Sequence, residues 1–412
     1  MMSTGAHYRS QTIRAARENP VRALLSSVLA PNTVKFSGGF PYELYMPFEE
    51  VGLIDAGIRA DRGLMGRINQ YGPTEGLPTA KQASAEYLAK TEGRLVQPEA
   101  VTFTIGSQMV LYISGMCLGD PGDNIIVGRP TYLGGINAFA LARLNMIGVE
   151  LDDQGMNVDE IESLLQGGLK IRFVYVIPDF QNPSGITMSL ARRQQLLRLA
   201  YEYDFMIVED SPYRQLCFSG EPIPSIWSLD ERGQRVIFMI TTSKIIFSMR
   251  LAICTAPQPV IDDFHKALAS ILLCVWGYPQ ELWTRIVQAG WLDNHVARIS
   301  AHYLVKKNIL VSTLREACSQ IPGFHLTDPE GGLFSWMTLP EVTASGRPVD
   351  TSEMVEMGKR DPYRVVFVPG YAFYSDGTGR NKARLNFSHP SEEEIISGAE
   401  RLSRLVLDYY AL

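Results

Sequence analysis

From about residue 100 to residue 260, short apolar runs alternate with helical stretches, and no other feature of the 412-residue chain restricts its fold so tightly. The runs Asn124–Gly128, Phe173–Ile177, Phe205–Val208 and Val236–Ile240 are rich in β-branched or aromatic residues, and each ends in a turn-like cluster. Between the second and third, the pattern predicts a helix over Ser189–Tyr203. Ser189 is a good N-cap, and Leu190, Leu196, Leu197 and Ala200 fall near one face. Alternation of this kind implies an α/β fold, a mostly parallel sheet covered by helices on both faces.

The chain is long enough that two domains are the natural expectation. Its first 35 or so residues read as an arm with one short helix, Pro20 to Leu29. The stretch from Gln280 to Gln320 reads as one or two helices leading out of the first domain. Strand-like segments follow at Gly331–Met337 and Val365–Pro369, and a charged final helix starts at about Ser391. The expected division is an N-terminal arm over 1–45, a large domain over 46–290 and a smaller C-terminal α/β domain over 291–412.

Hydrophobic residues make up 46% and charged residues 20% of the chain, as in ordinary globular proteins. The formal net charge of −6 argues against nucleic acid as a partner, since that needs a basic face. Small anions stay open, because a few local donors hold a phosphate on an acidic protein. The five cysteines are odd in number and show no metal or redox spacing, so no metal is expected. They read as reduced, mostly buried thiols of a cytoplasmic protein. The N-terminus is polar and basic without the apolar core of a secretory signal. No apolar run is long enough to span a membrane; Ile271–Trp276 is too short.

Ligands of open α/β sheets sit beyond the carboxyl ends of the strands. Four polar clusters fall there: Asp179–Gly185, Glu209–Tyr213, Thr241–Lys244 and Arg129–Tyr132. A fifth, Gly106-Ser107-Gln108, opens a predicted helix, and a helix N-terminus carrying a hydroxyl is a ready anion site. Singly, each has a plain structural explanation. Asp210 could cap a helix, Lys244 could lie on the surface, Tyr132 could pack in the core, and Gly106-Ser107 could be a turn. Their joint occurrence at strand ends points to one site.

The order of these clusters resembles the fold type I pyridoxal-phosphate enzymes of the class I/II aminotransferase family, and within them the 2-aminoadipate/kynurenine aminotransferase-like group. The resemblance runs from FSGGFP at 36–41 to the C-terminal helix. Its most specific stretches are GSQ at 106–108, PTYLGG at 130–135, VIPDFQNPSG at 176–185, VEDSPY at 208–213 and SK at 243–244. EGGLFSW at 330–336, VPGYAFY at 368–374 and RLNFSHPSEEEI at 384–395 add to them.

The resemblance implies pyridoxal 5'-phosphate held as a Schiff base on Lys244, whose freed amine would then move protons. Asp210 would pair with the pyridine nitrogen and Tyr132 would stack on the ring, completing a catalytic set of Lys244, Asp210 and Tyr132. Asn182 and Tyr213 would donate to the phenolic oxygen. Ser107, the Gln108 backbone, Thr241, Ser243 and Arg250 would cradle the phosphate. Tyr71 matches a tyrosine that reaches the phosphate of the neighbouring subunit, which implies a homodimer with shared active sites. Arg384 would grip the α-carboxylate of an amino acid substrate, helped by Gly39 and Asn182. Side-chain selectivity would come from the arm, the partner subunit and residues such as Phe334 and Tyr374.

The sequence departs from the family after the lysine. Residues 245–252 read IIFSMRLA, one residue shorter than the usual loop and without its two glycines. Either Arg250 still reaches the phosphate along a shorter path, or Phe247 and Met249 reshape the pocket. Transamination between an amino acid and a 2-oxo acid is the first functional expectation. A pyridoxal-phosphate enzyme of specialised metabolism, eliminating, replacing or forming carbon–carbon bonds on an activated amino acid such as S-adenosylmethionine, is the second. A regulator fused to a DNA-binding module is disfavoured by the acidic balance and by the roughly 35 residues ahead of the matching region.

Overall fold

The computed structural model describes residues 10–16, 29–246 and 249–412. Its centre is an eight-stranded sheet: β1 (Val101–Thr104), β2 (Asn124–Arg129), β3 (Asn145–Asp152), β4 (Gly155–Met156), β5 (Phe173–Val176), β6 (Met206–Asp210), β7 (Val236–Thr241) and β8 (Ala252–Thr255). The spatial order is β1-β8-β7-β6-β5-β2-β3-β4. β7, β6, β5, β2 and β3 run parallel, whereas β8 is antiparallel to both β7 and β1, and β4 turns back on β3. β1, β5, β7 and β8 are buried along their whole length, as strands covered on both faces must be. The helices Ser107–Leu118, Leu133–Leu141 and Gln258–Leu272 form one packed group, and Val158–Gln166 packs on Leu190–Glu202.

The four apolar runs read from the sequence are β2, β5, β6 and β7. The helix expected over 189–203 spans Leu190–Glu202 behind Ser189, although the serine side chain makes no capping bond. Its buried stripe is Arg193, Leu196, Leu199 and Ala200, while Leu190 is exposed and Leu197 is half-buried. An arginine thus holds a place that periodicity gave to leucine, because partners for its guanidinium wait beneath the sheet edge.

Two helices, Gly277–Ala289 and Leu292–Ala317, lead out of the sheet domain and are separated by Gly290 in the left-handed conformation. They reach a four-stranded antiparallel sheet ordered His325–Leu326, Phe334–Thr338, Lys382–Asn386, Val368–Pro369. The last helix, Glu392–Tyr410, starts with a capping box between Ser391 and Glu394. From the arm, Val34–Lys35 pairs in parallel with Val365–Val366. The arm helix expected at Pro20 to Leu29 lies outside the described residues except for Leu29. A short helix, Gln11–Ala15, stands ahead of it. All five cysteines are unpaired; only Cys254 and Cys318 are buried, fewer than expected, because the other three sit on half-covered faces. No helix among the described residues is long and apolar enough to cross a membrane.

Candidate active site

Parallel strands end on one edge, so the clusters that follow β2, β5, β6 and β7 meet there. β1 shares their direction through two antiparallel steps, and the helix Ser107–Leu118 therefore starts at the same edge. The strand Lys382–Asn386 and residues 37–40 close the space from the other side. The result is a cavity of about 300 Å³. Gly39, Ser107, Gln108, Tyr132, Asn182, Asp210, Tyr213, Thr241, Ser243, Lys244, Arg250 and Arg384 all line it. Tyr71 does not; it stands 79% exposed on the surface of its own chain.

Asp210 ends β6 and is buried. The Tyr175 hydroxyl donates to its Oδ2 at 3.0 Å, while its Oδ1 has no hydrogen-bond partner among the described residues. Burial pushes the carboxyl up to about 7, against the pull of the Tyr175 hydrogen bond and of Lys244. A buried carboxylate with one oxygen unmatched suits a cationic N–H donor beside it. Sequence reasoning missed Tyr175. Its only signal is register: Tyr175 faces Val208, two residues before Asp210 and on the same side of the sheet.

Lys244 closes the short 3-10 turn Thr242–Lys244 after β7. Its Nζ donates to the Gly39 carbonyl at 2.8 Å and lies 5.9 Å from the centre of the Tyr213 ring. Burial lowers its amine to about 8, with the Arg384 charge adding to the shift and Asp210 opposing it. An amine near 8 gives up a proton close to neutral pH, as a lysine that acts as a base must.

Arg384 is buried, and among the described residues it has no counter-ion. Its Nη1 donates to Asn182 Oδ1 at 3.1 Å, and its Nη2 donates to the carbonyls of Ser37 at 3.2 Å and Gly38 at 2.7 Å. Its Nε has no partner among the described residues, and its Cζ lies 4.2 Å from the centre of the Phe334 ring. Burial lowers the guanidinium to about 10. A cation satisfied only by neutral oxygens is matched to an incoming carboxylate. Asn182 joins this corner to Tyr213, since its Nδ2 donates to the tyrosine hydroxyl at 3.3 Å.

The opposite end collects donors. Gly106, at φ +75°, precedes the helix Ser107–Leu118, whose first turn holds no acidic residue. A Cβ on Gly106 would stand 2.9 Å from the Arg250 guanidinium, so only glycine lets that arginine lie flat on the helix entrance. Arg250 Nη2 donates to the Ile105 carbonyl at 3.1 Å. Thr241 Oγ1 donates to Ser243 Oγ at 3.1 Å and accepts from the Ser243 amide at 3.2 Å. Tyr132 OH donates weakly to Gln108 Oε1 at 3.5 Å, and Gln108 Nε2 donates to the Gly134 carbonyl at 2.7 Å.

At the shortened loop, the side chain of Arg250 lines the cavity. That residue adopts φ +54° itself, so the left-handed step is present without a glycine, at a cost on the order of 1 kcal/mol. Ile245 and Ile246 are buried, and the Ile245 carbonyl meets His295 Nε2 at 2.6 Å. Phe247 lies outside the described residues. Met249 packs against the main core and does not line the cavity, so its expected role in reshaping the pocket is corrected. Of the two residues expected to set selectivity, Phe334 lines the cavity. Tyr374 instead packs in a small apolar cluster with Leu133, Trp336, Val368 and Phe373, one layer behind it.

Beneath the site lies an ion network that the sequence did not reveal. Asp179, which opens the turn carrying Asn182, pairs with Arg193 at 2.7 Å and Arg214 at 3.1 Å. Arg214, next to Tyr213, also pairs with Glu92 at 2.9 Å. Arg193 spends its other donors on the carbonyls of Met188, Pro178 and Pro224. Among the described residues no cluster of His, Cys, Asp or Glu could hold a metal ion.

The donor set fits pyridoxal phosphate feature by feature. The helix entrance and Arg250 suit its phosphate, and the unmatched Asp210 oxygen suits its ring nitrogen. Asn182 and Tyr213 suit its phenolic oxygen, Lys244 its aldehyde and Tyr132 its ring face.

Residues 46–402 match the family model for aminotransferases of class I and II. Over 404 residues the chain is 36% identical to aromatic-amino-acid aminotransferase 1 of Thermococcus litoralis, covering 97% of this chain and 94% of that one. It superposes on the multiple substrate aminotransferase of Thermococcus profundus with a TM-score of 0.89, at 34% identity, covering 98% and 99% of the two chains. The kynurenine aminotransferase of Pyrococcus horikoshii, solved with PMP, gives a TM-score of 0.88 at 33% identity over 98% of both chains.

Proposed function

This chain belongs to the class I and II aminotransferases, pyridoxal-phosphate enzymes that exchange the amino group of an α-amino acid with a 2-oxo acid, and on that premise we propose which of its residues carry out the exchange. When bound, the cofactor supplies an aldehyde carbon for the amino group and a ring that accepts the electrons left when the Cα–H bond breaks. Lys244 is the covalent anchor. Once released, its Nζ would take the proton from Cα and deliver it to the carbon that came from the cofactor's aldehyde, a transfer suited to an amine lowered to about 8. Asp210 Oδ1 would hold a proton at the ring nitrogen, a cationic partner that would favour its ionised form.

Arg384 holds the α-carboxylate through its guanidinium edge, with Asn182 and the carbonyls of Ser37 and Gly38 fixing its plane. Tyr132 would cover one ring face, and Asn182 and Tyr213 would donate to the phenolic oxygen. Ser107, the Gln108 amide, Thr241, Ser243 and Arg250 receive the phosphate. The observation that carries this assignment is the convergence of Lys244, Asp210 and Arg384, from three distant segments, on one cavity.

We assign Tyr71 to the cavity of a second copy, which makes the enzyme a homodimer with shared sites. Its exposure supports this, as does the run of exposed Leu44, Phe48 and Leu53 nearby in sequence. The division into 1–45, 46–290 and 291–412 is supported by the eight-stranded sheet falling in the middle segment and the four-stranded sheet in the last. A reducing cytoplasm suits five unpaired cysteines. The functional test is an isotope experiment with purified enzyme. Labelled nitrogen from the donor amino acid should appear in a new amino acid made from the 2-oxo acid, with Cα deuterium lost to water. Consumption of donor without added 2-oxo acid, beyond one turnover, would refute the exchange.

A further inference from the structure

Lys306 lies in the long helix Leu292–Ala317, outside the cavity, and is fully buried. Among the described residues, its ammonium is surrounded by rings rather than by a carboxylate. Nζ stands 3.8 Å from the centre of the Tyr42 ring, 5.1 Å from Tyr45 and 6.0 Å from Tyr303. Its hydrogen bond goes to the Ser388 carbonyl at 3.0 Å. Burial lowers its amine to about 8, opposed by the charges of Glu392 and Glu394. Burying a cation this way is expensive, and methionine would fill the same space without a charge.

The contacts of Lys306 explain what the charge achieves. Tyr42 and Tyr45 belong to the segment that continues from Ser37, Gly38, Gly39 and Phe40. The Gly38 and Ser37 carbonyls hold Arg384, the Gly39 carbonyl holds Lys244, and Phe40 lines the cavity. Ser388 follows the strand that carries Arg384, and its Oγ donates to the Phe40 carbonyl at 2.7 Å. The Tyr42 amide donates to the Tyr303 hydroxyl at 3.2 Å, so the segment is fastened to the same helix twice. One ammonium therefore ties three pieces together: the helix, the segment walling the substrate side, and the end of the Arg384 strand.

We propose that Lys306 is a positioning residue for the substrate: its buried ammonium, caged by Tyr42, Tyr45 and Tyr303, clasps residues 37–45 against the Arg384 strand and so sets the guanidinium that receives the α-carboxylate. The inference rests on the reading of Arg384 as the carboxylate grip.

Lys306→Met keeps the side-chain volume and removes the charge. Desolvated cation–π contacts are strong enough that the KM for the donor amino acid should rise about tenfold, with kcat and cofactor affinity changed by no more than about twofold. Lys306→Arg, which keeps the cation, should recover most of the loss. Hydrogen exchange of the amides over 38–46 should quicken in Lys306→Met and nowhere else. In an Arg384→Gln background the Lys306→Met effect on KM should disappear, because both act through the same carboxylate.

An unchanged KM in Lys306→Met beside a raised KM in Arg384→Gln would overturn the clasp, and so would fully additive effects. An unchanged KM in Arg384→Gln would instead remove the carboxylate reading, and faster or unaltered exchange over 38–46 would then decide for or against the clasp. If Lys306→Met does not fold, Tyr42→Leu takes its place with the same expected outcomes.

Discussion

Asp210 is a carboxyl group that the fold keeps under electrostatic strain until something cationic arrives. In the folded protein it sits at about 7, whereas an unfolded aspartate titrates near 4. Between those values the folded chain holds a proton that the unfolded chain has released. Stability of the cofactor-free protein therefore falls as pH rises from about 4 to about 7, and stays low above that. Glu209, raised to about 7 by burial on the opposite side of the sheet, acts in the same direction. Asp210→Asn should make the cofactor-free protein more stable at pH 8, by on the order of 2 kcal/mol in urea unfolding, with the advantage gone near pH 4. The same variant should lose most of its activity. A cofactor-free Asp210→Asn protein less stable than the parent at pH 8 would contradict the strain. Lys244→Ala should lower kcat/KM for transamination by at least about a thousandfold while leaving the phosphate donors in place, which a phosphate-binding titration can verify.

At the level of elements, the strands and the site they carry were legible for one reason. Strand-end clusters must hold reactive residue types whatever the packing around them, so Lys244, Asp210 and Asn182 stood out in the sequence. Arg384 was found only through its motif. Tyr175 reaches Asp210 through strand register, and Arg193, Arg214 and Glu92 meet across separations that no local pattern encodes. Leu190 was misplaced for the converse reason. Periodicity predicts which residues are apolar on a face, but not which of them the neighbouring layer covers. The ion network also gives a stability test. Arg193→Met would leave Asp179 buried with one cation fewer, and removing one partner of such a pair costs about 3–5 kcal/mol. The urea midpoint should fall accordingly, and the Asn182–Tyr213 corner should loosen with it. At the surface, Ser391→Ala breaks a capping box and should cost about 1 kcal/mol. Equal effects of the two substitutions would show that the network carries no special load.

The whole molecule brings residues from positions 39, 107, 210, 244 and 384 to one edge of a sheet, and the order of the strands makes that meeting unavoidable. What a single chain leaves open is the role of Tyr71, which is exposed and does not line the cavity of its own chain. Sedimentation should give a dimer. Tyr71→Phe should weaken cofactor retention in both sites, about tenfold if one charge-assisted hydrogen bond to the phosphate is lost. A monomer with full activity would remove the shared-site reading and leave the rest standing. The central claim is the covalent anchor at the end of β7, and borohydride reduction of the holoenzyme followed by peptide mass mapping tests it most directly. The expected result is a single pyridoxyl adduct on the peptide that contains Lys244; an adduct on any other lysine, or none at all, would contradict the account.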